Sequence, residues 1–428
     1  MPGDKRSAFL DLPTAQTGAS GRADSPPSAL ERWLLAKLFG LMGQPAIRFV
    51  LWDQSTVGPE GANEAVSGLH IPSRRVLWRL LRNPGLNFGD DYSAGLLMIE
   101  GELRDFLEAV YGAGGGSPRS GPLGRYAVNR PTWRRPNSLS GSKRNIHHHY
   151  DLGNHFYRLW LDADMVYTCA YFPQPQDDLE TAQRAKMDLI CRKLRLRPGE
   201  LVIEAGCGWG SLALYMARHY GVRVRAYNIS REQLAFARDR AHEQGLDGRV
   251  EFIEADYREI GEDAARRGPC DVFVSVGMLE HVGRAHHRGF GGVIDRCLSA
   301  SGRGLIHSIS QPEPRPVNPW LERRIFPGGY PPTLREMAAI LEPRRCVVTD
   351  VENLRLHYAK TLEHWLARFE DHAKQIAATY DESFVRAWRL YLTASIANFT
   401  TNALQLYQIT FSRVAQCEVP WTRADLYS

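Results

Sequence analysis

The residues with the clearest chemical meaning form a glycine-rich segment near the middle of the chain. Residues 202–210 have the sequence Val-Ile-Glu-Ala-Gly-Cys-Gly-Trp-Gly. A short apolar run that ends in a carboxylate and alternating glycines is typical of a buried strand, a tight turn and then a helix, here predicted over Ser211 to Tyr220. Glycine lets a ligand lie against bare main chain. The segment therefore predicts a site for a nucleotide-like molecule at the carboxyl end of a parallel sheet. It is not a phosphate loop, because no Gly-Lys-Ser/Thr follows.

Two features argue against a dinucleotide dehydrogenase. The glycines stand at 206, 208 and 210, whereas the dinucleotide turn has the spacing Gly-x-Gly-x-x-Gly. The second strand ends in Tyr-Asn-Ile-Ser, where an acidic residue would be needed to hold a ribose. The third strand ends in Asp256 and Tyr257, which are suited to hold an adenine by a hydrogen bond and an apolar contact. Alternatives stay open, since Asn228 and Ser230 are also good helix caps and Asp256 is also a common turn residue.

The segment that carries the glycines alternates between strand and helix patterns. Such alternation implies parallel β-α-β units, and hence an α/β fold with a doubly wound, mostly parallel sheet. Farther along, the patterns predict a helix near Leu334–Leu341, a strand near Cys346–Val351, long helical stretches from Thr361 to Leu404 and a last strand at Leu404–Ser412. The predicted strands of the β-α-β region are Leu201–Ala205, Val222–Asn228, Val250–Ala255, Asp271–Val276 and Gly304–Ile309.

Composition divides the chain into four segments. Residues 1–28 are rich in Ser, Pro, Gly and Ala and are predicted to be disordered. Residues 29–111 have mixed patterns that predict a small α+β domain without a catalytic signature of its own. Residues 112–145 form a linker rich in Pro, Gly and Ser, and residues 146–428 form the domain that contains the glycine-rich segment. In the small domain we predict a helix near Leu30–Phe39, a strand at Ile47–Trp52 and helices at Arg75–Leu81 and Leu103–Val110.

The net charge of +5 is concentrated in the linker. Residues 118–145 contain seven Lys or Arg and no acidic residue. One interpretation is a solvated flexible linker. A second is a basic strip that is attracted to an anionic membrane surface, at about 1 kcal/mol per basic residue near the lipid. Nucleic acid is a third partner class, but no binding motif or aromatic interleaving supports it.

Other whole-chain features limit the class of protein. No run of 18 uncharged apolar residues is present, which argues against a membrane span, and the N-terminal segment lacks the apolar core of a secretory signal. Seven cysteines without metal spacing indicate the reduced thiols of a cytosolic protein. The run His147–His149 does not predict a metal site, because three consecutive histidines do not converge on one ion and no partner ligand is suitably spaced.

Six further stretches of the sequence form specific motifs. They are His149–Asn154 with Phe156 to Asp162, Tyr167–Phe172, Glu204–Gly210, Met278–Gly283, Ile325–Gly329 and Tyr358–Leu362. Together these motifs resemble the cyclopropane-fatty-acyl-phospholipid synthase family, in the class I S-adenosylmethionine-dependent methyltransferase superfamily. The resemblance spans about residues 146 to 413, and residues 47–111 more weakly resemble the small N-terminal domain of longer bacterial members. It implies a Rossmann-like methyltransferase fold.

What this resemblance implies is methyl transfer from S-adenosylmethionine to the double bond of an unsaturated phospholipid acyl chain, with bound bicarbonate as the general base. The residues implied for the bicarbonate are Cys169 and Ile309 through backbone N–H groups, His307 and Tyr358 through side-chain hydrogen bonds, and Glu280 as acceptor of the bicarbonate hydroxyl. The residues implied for S-adenosylmethionine are Tyr167, Thr168, Gly206, Gly208, Asn228, Gln233, Asp256 and Tyr257. We also expect the N-terminal domain (29–111) and the basic linker to dock the protein on the inner face of the membrane, and we expect a homodimer.

Each of these residues also has a purely structural interpretation, such as a buried thiol for Cys169 or a core imidazole for His307. Tyr171, Phe172 and Phe326 are candidates for the wall of an acyl channel or for core packing. Residues 398–402 lack an Arg that is expected in bacterial members, so the choice of acceptor stays open. Three alternatives remain: a methylene- or methyl-branched product, a small soluble methyl acceptor, and a non-catalytic lipid-binding or scaffold protein.

Overall fold

A computed structural model describes residues 24–59, 65–113, 152–415 and 419–427 of the chain. The basic linker, most of the predicted disordered segment and the run His147–His149 therefore lie outside the described residues. The described part divides into two units. One contains the residues up to 113 together with Pro316–Pro327 and Leu362–Ala403, and the other contains 152–315, 328–361 and 404–427.

The first unit contains a four-stranded sheet and helices. Its strands are β1 (Ile47–Leu51), β2 (Thr56–Val57), β3 (Ser67–Ile71) and β4 (Met98–Glu100), in the order β2-β1-β3-β4, with β1 and β3 parallel. Residues 29–113 thus contain both strands and helices, and their prediction as a small α+β domain of their own stays a prediction. The helices are Ala29–Leu41, Arg74–Arg82, Pro84–Ser93, Leu103–Ala113, Pro319–Arg324, Ala373–Thr379, Glu382–Thr400 and residues 362–371 of Arg355–Asp371.

Charged side chains join separate parts of the chain within this unit. The Arg324 guanidinium forms two 3.0 Å hydrogen bonds to the carboxylate of Asp90, and both side chains are buried. Arg386 donates to the carbonyl oxygen of Tyr92. One domain was predicted for residues 146–428, whereas residues 316–327 and 362–403 group with the N-terminal residues. The four-segment division itself stays a prediction.

The second unit is built on a seven-stranded sheet in the order β10-β11-β9-β8-β5-β6-β7. The strands β7, β6, β5, β8 and β9 are parallel, and β11 and β10 extend the sheet in antiparallel fashion. The predicted α/β fold with a mostly parallel sheet is confirmed. The strands are β5 (Leu201–Ala205), β6 (Arg223–Asn228), β7 (Val250–Glu254), β8 (Cys270–Val276), β9 (Leu298–Ser310), β10 (Cys346–Asn353) and β11 (Gln405–Arg413).

Helices cover both faces of this sheet, because successive residues of a strand point to opposite sides. Val202 of β5 packs into one hydrophobic cluster, and its neighbour Ile203 packs into the other. The α-helices of the unit are Gly153–Arg158, Leu179–Leu194, Ser211–Tyr220, Arg231–Glu243, Ile260–Arg267, Leu279–Val282, His287–Cys297, Leu334–Leu341, Ala424–Tyr427 and residues 355–361 of Arg355–Asp371; short 3-10 turns cover Tyr257–Glu259, Arg284–His286 and Glu342–Arg344.

Two further observations concern the whole described chain. Its six cysteines are all buried and unpaired. Among the described residues, no helix combines the length and the apolar character that crossing a bilayer requires.

Candidate active site

The turn after β5 presents bare backbone at the carboxyl edge of the sheet. Its first two N–H groups, of Gly206 and Cys207, both donate to the carbonyl oxygen of Tyr227 at the end of β6. Gly208 has a φ of +53°, a conformation that favours glycine. A Cβ built there would meet no atom of the described residues within 4 Å beyond its chain neighbours. The start of the turn is thus held by hydrogen bonds to β6, and the turn is open at Gly208. This arrangement fits the predicted role of the loop in holding a ligand.

Asn228 and Gln233 support the same turn. The Asn228 amide nitrogen donates to the carbonyl oxygen of Gly208 at 3.1 Å and to the Gln233 side-chain oxygen at 2.8 Å. The cap of the following helix is Ser230, whose hydroxyl accepts from the Gln233 backbone N–H. Of the two capping alternatives, Ser230 therefore caps the helix, and Asn228 links the glycine turn to it.

Asp256 and Tyr257 lie just beyond the end of β7. The Asp256 carboxylate accepts from the backbone N–H and the guanidinium of Arg258, each at 3.0 Å, and caps the short 3-10 turn. The turn interpretation is therefore correct for Asp256. The Tyr257 ring packs edge-on against Phe290, with centroids 5.7 Å apart. Both residues lie at the carboxyl edge of the sheet, and their contact with an adenine stays a prediction.

A buried polar clamp holds the segment that contains Tyr167 and Thr168. Lys186 donates to the Thr168 hydroxyl at 2.9 Å, and Gln183 donates to the Thr168 carbonyl oxygen at 2.9 Å. A Cβ at Gly277, directly after β8, would lie 2.7 Å from the Thr168 methyl. The clamp therefore fixes this segment over the end of β8. The Tyr167 ring packs against Tyr157 and Trp160, at 5.5 and 5.2 Å between centroids.

Glu280 is a buried carboxylate in the short helix Leu279–Val282, which follows β8. Its Oε1 accepts a 2.6 Å hydrogen bond from the backbone N–H of Ile309 in β9. Its Oε2 is buried without a hydrogen-bond partner among the described residues. Burial raises the pKa of Glu280 to about 7. The contact also revises one prediction, because the Ile309 N–H that the resemblance assigns to bicarbonate donates to Glu280.

His307, two residues earlier in β9, is a buried neutral imidazole. Burial lowers its pKa well below the ordinary value. Its Nδ1 lies 3.2 Å from the side-chain nitrogen of Gln408, and its Nε2 is buried without a partner among the described residues. The His307 carbonyl oxygen accepts from the N–H of Gly277, so His307 lies beside the turn that leads into Glu280.

Cys169 and Tyr358 meet at the residue Leu354. The Cys169 thiol lies 3.9 Å from the Leu354 carbonyl oxygen, which also accepts from the backbone N–H of Tyr358. The N–H of Leu354 donates to Leu406 in β11, which pairs with Ile309. Burial raises the pKa of the Cys169 thiol far above its usual range, so it stays protonated. The five residues implied for bicarbonate are thus connected around one end of the sheet.

The unpaired atoms of this cluster fit a bicarbonate ion. His307 Nε2 and Glu280 Oε2 are both buried, and a buried polar atom without a partner is costly. A neutral imidazole N–H can donate to an anionic oxygen, and an ionised carboxylate can accept from a hydroxyl. Bicarbonate carries both kinds of group. Tyr358, which contacts Leu354 through its backbone N–H, is also buried.

Several buried polar residues of this region were not predicted from the sequence. Lys186 and Gln183 lie on the buried face of the helix Leu179–Leu194, where charged and amide side chains interrupt the apolar pattern. That interruption was a usable signal. Gln408 and Lys193 gave a weaker signal in the sequence. Lys193 contacts Gln408, and Gln408 contacts His307, and these residues lie far apart in the chain. Their roles are visible only in the folded chain.

The aromatic residues predicted for an acyl channel have protein partners. The rings of Tyr171 and Phe172 lie 4.8 and 6.4 Å from His357. Phe326 belongs to the first unit, where it packs edge-on against Tyr391 at 5.5 Å. These contacts agree with core packing, and a role in an acyl channel stays a prediction.

The raised pKa of Glu280 predicts a pH-dependent stability effect. The folded state holds this proton up to about pH 7 and the unfolded state only to about 4.5, so the contribution to stability is lost as the pH rises through 7. We therefore expect Glu280→Gln to raise the free energy of unfolding, relative to wild type, by about 2–3 kcal/mol more at pH 8 than at pH 4.5. Urea unfolding at both pH values measures this, with the exposed Glu254→Gln as control. Equal gains at both values would contradict it.

Comparisons with known proteins agree on one family. A family model described as mycolic acid cyclopropane synthetase matches residues 137–409. The chain is 35% identical over 396 residues to a probable fatty acid methyltransferase of Pseudomonas putida, covering 85% of this chain and 98% of that protein. It is 41% identical over 266 residues to the cyclopropane-fatty-acyl-phospholipid synthase of Escherichia coli strain K12, covering 62% of this chain and 66% of that one. A solved structure of the mycolic acid cyclopropane synthase CmaA1, complexed with SAH and CTAB, matches with a TM-score of 0.58 at 29% identity, over 63% of this chain and 98% of that chain.

Proposed function

Because this chain belongs to the mycolic acid cyclopropane synthetase family of S-adenosylmethionine-dependent methyltransferases, we propose that it converts the cis double bond of an unsaturated phospholipid acyl chain into a cyclopropane. The observation that carries the proposal is that Glu280 Oε2 and His307 Nε2 are both buried without a partner among the described residues. Glu280 follows β8 and His307 lies near the end of β9, and both strands end at the same edge of the sheet as β5, which leads into the open glycine turn. This reaction requires a site for the methyl donor and, at the same edge of the sheet, a set of residues that holds an anion. We call the five residues proposed for that role the anion cage: Cys169, Glu280, His307, Ile309 and Tyr358.

The chemistry explains why both halves of the site are needed. An alkene is a weak nucleophile, and S-adenosylmethionine supplies a strongly electrophilic methyl group when it is bound. Ring closure requires that the new methyl group lose a proton, and bicarbonate supplies the base when it is bound. The protein must therefore hold an anion in a largely apolar pocket, which requires hydrogen-bond donors that add little charge.

The residues of the cage divide this work. We propose that His307 donates from Nε2 and Tyr358 from its hydroxyl to the anion, while ionised Glu280 accepts from the hydroxyl of the anion and orients it. The Ile309 N–H donates to Glu280 and so positions the orienting carboxylate. The protonated Cys169 thiol is no nucleophile, and its proposed contribution is a backbone N–H.

The donor side of the site uses the edge formed by β5, β6, β7 and β8. We propose that Gly206 and Gly208 let the donor approach the main chain, that Asn228 and Gln233 support that turn, and that Asp256 and Tyr257 meet the adenosine end. The residues of the clamped segment, Tyr167 and Thr168, close over the methionyl end. Aromatic ring faces also attract sulfonium cations.

One experiment tests this function directly. The protein is incubated with labelled S-adenosylmethionine, bicarbonate and vesicles of unsaturated phospholipid, and the fatty acids are analysed by mass spectrometry. We expect one added methylene unit per modified acyl chain, and NMR then separates a ring from a methylene or methyl branch. A branched product would replace the proposed product with the first alternative. Failure to label any acyl chain would reject the lipid substrate.

We propose further that the protein works at the cytoplasmic face of an anionic membrane. The helix Ala29–Leu41 supports this proposal, because Leu30, Trp33 and Leu41 are large exposed apolar side chains on it. Lys37 lies 5.5 Å from the Trp33 ring centre. A helix that combines exposed tryptophan, leucine and lysine is suited to the membrane interface, and the basic strip at 118–145 would add electrostatic attraction.

The membrane proposal predicts weaker vesicle binding for Trp33→Ala combined with Lys37→Ala. We expect a loss of at least about 10-fold in affinity for anionic vesicles at low salt, since an interfacial apolar side chain and a cation are removed. Sedimentation with vesicles measures it. Trp421→Ala, which removes a fully exposed tryptophan of the other unit, is the matched control. Equal sedimentation of both variants would contradict the role of this helix.

A further inference from the structure

We infer that Gln408 and Lys193 are positioning residues, which fix the neutral imidazole of His307 with its proton on Nε2, facing the anion cage. The consequence for catalysis rests on the proposed function, whereas the tautomer itself is a property of the folded protein. Neither residue carries a recognisable catalytic motif in the sequence. The inference follows from where the sheet and one helix bring them.

A row of polar side chains crosses three neighbouring strands at this level of the sheet. Gln408 of β11 is directly paired with His307 of β9 on one side and with Glu352 of β10 on the other. Directly paired residues of neighbouring strands project on the same face of a sheet. Lys193, from the helix Leu179–Leu194, donates to both Gln408 and Glu352.

Lys193 determines which way the Gln408 amide faces. An ammonium group has only donors, so its 2.6 Å partner on Gln408 must be the amide oxygen. The amide nitrogen then faces His307, at 3.2 Å from Nδ1. Since that nitrogen can only donate, Nδ1 must accept with its lone pair.

The remaining proton of the ring must therefore be on Nε2. Burial and the neighbouring cations Lys186 and Lys193 keep His307 neutral, so a second ring proton is disfavoured. In the opposite tautomer, Nε2 would direct a lone pair at an anion and would repel it. A neutral imidazole can carry its proton on either ring nitrogen. The row of polar side chains selects the tautomer that donates from Nε2, as a hydrogen-bonded carboxylate or carbonyl group does for histidines in other active sites.

The strand also offers a matched control. Gln405 is a second buried glutamine of β11, three residues before Gln408, so strand alternation directs it to the opposite face. It accepts a hydrogen bond from Asn353 at 2.7 Å. Glutamine-to-glutamate changes at 405 and 408 therefore introduce the same charge in the same strand, but only the change at 408 faces His307.

The tautomer is measured in the full-length protein by NMR with histidines labelled at the ring nitrogens. The signals of His307 among the 14 histidines are identified by their loss in His307→Gln. We expect an unprotonated Nδ1 and a protonated Nε2 in the wild type. Gln408→Glu should transfer the proton to Nδ1, because a carboxylate accepts from it, while Gln405→Glu should leave the wild-type pattern. Lys193→Met should give a mixture of tautomers, and Lys193→Arg should restore the single one.

The kinetic expectations follow from the same change. In the methyl transfer assay with bicarbonate and unsaturated phospholipid vesicles, Gln408→Glu should lower kcat by about 10- to 100-fold, with unchanged affinity for S-adenosylhomocysteine. A wild-type His307 with its proton on Nδ1 would overturn the inference whatever the variants do, and so would a Gln408→Glu variant that matches Gln405→Glu in both tautomer and kcat. If the wild type itself transfers no methyl group to lipid, the proposed function is rejected. The NMR measurement then still tests the tautomer of His307, because it does not depend on activity.

Discussion

Glu280→Gln is expected to lose about 10²- to 10³-fold in kcat for methyl transfer to lipid while binding S-adenosylhomocysteine as tightly as the wild type. The size of the effect is that of a positioned acid-base group. The side-chain amide keeps an oxygen for the Ile309 N–H, so the local hydrogen bond at 2.6 Å survives. What disappears is the ionised oxygen that we propose accepts the hydroxyl proton of the base.

The wild type supplies an internal check through its pH profile. Burial raises the pKa of Glu280 to about 7, so the carboxylate is protonated below pH 7 and ionised above it. We therefore expect kcat to rise through about pH 7 in the wild type and to lack this inflection in Glu280→Gln. Glu254→Gln removes an exposed carboxylate at the end of β7 and serves as the charge-matched control. Wild-type turnover in Glu280→Gln would reject the assigned role.

Gly208→Val should weaken binding of S-adenosylmethionine by at least about 100-fold and leave the protein folded. A Cβ built at Gly208 has no atom of the described residues within 4 Å apart from its chain neighbours, so the new side chain would occupy the room assigned to the donor. A β-branched residue at positive φ costs about 1–3 kcal/mol of stability, which a domain of this size should tolerate. Isothermal titration with S-adenosylmethionine measures the loss.

Gly199→Val is the control that separates a blocked site from backbone strain. Gly199 also has a positive φ, of +85°, and also has open space at its Cβ position. It precedes β5, whereas Gly208 follows it, so the two glycines lie at opposite ends of that strand. Both variants should lose similar stability, but only Gly208→Val should lose the donor. A similar loss of affinity in both would show that strain alone explains the effect.

Much of the fold was predictable because hydrophobic periodicity and glycine placement are local signals. The strand Leu201–Ala205 and the helix Ser211–Tyr220 were predicted with the bounds that the structure has. Longer elements were less well predicted. β9 begins at Leu298 rather than 304. Residues 299–303 are small or polar and carry no apolar strand pattern, and pairing with β8 shows that they belong to the strand. The helical region predicted from Thr361 to Leu404 is three helices, beginning at Arg355, Ala373 and Glu382.

The site was predictable in its residue types more than in its contacts. The resemblance implied Glu280 and Ile309 as separate contributors, whereas the structure joins them by a hydrogen bond. It gave no role to Lys186, although that buried cation holds Thr168. A contact between side chains depends on where the backbone carries both of them, and residue types do not specify this.

The sequence by itself determined the parallel sheet, the open glycine turn and the family. Each of these depends on short-range spacing or on short motifs whose residues are contiguous in the chain. Only the tertiary structure decided that residues 316–327 and 362–403 group with the N-terminal residues. It alone aligned Glu352, Gln408 and His307 across three strands. Strand order and register arise from burying whole faces against one another, so they bring together residues that lie a hundred positions apart and leave no local trace in the chain.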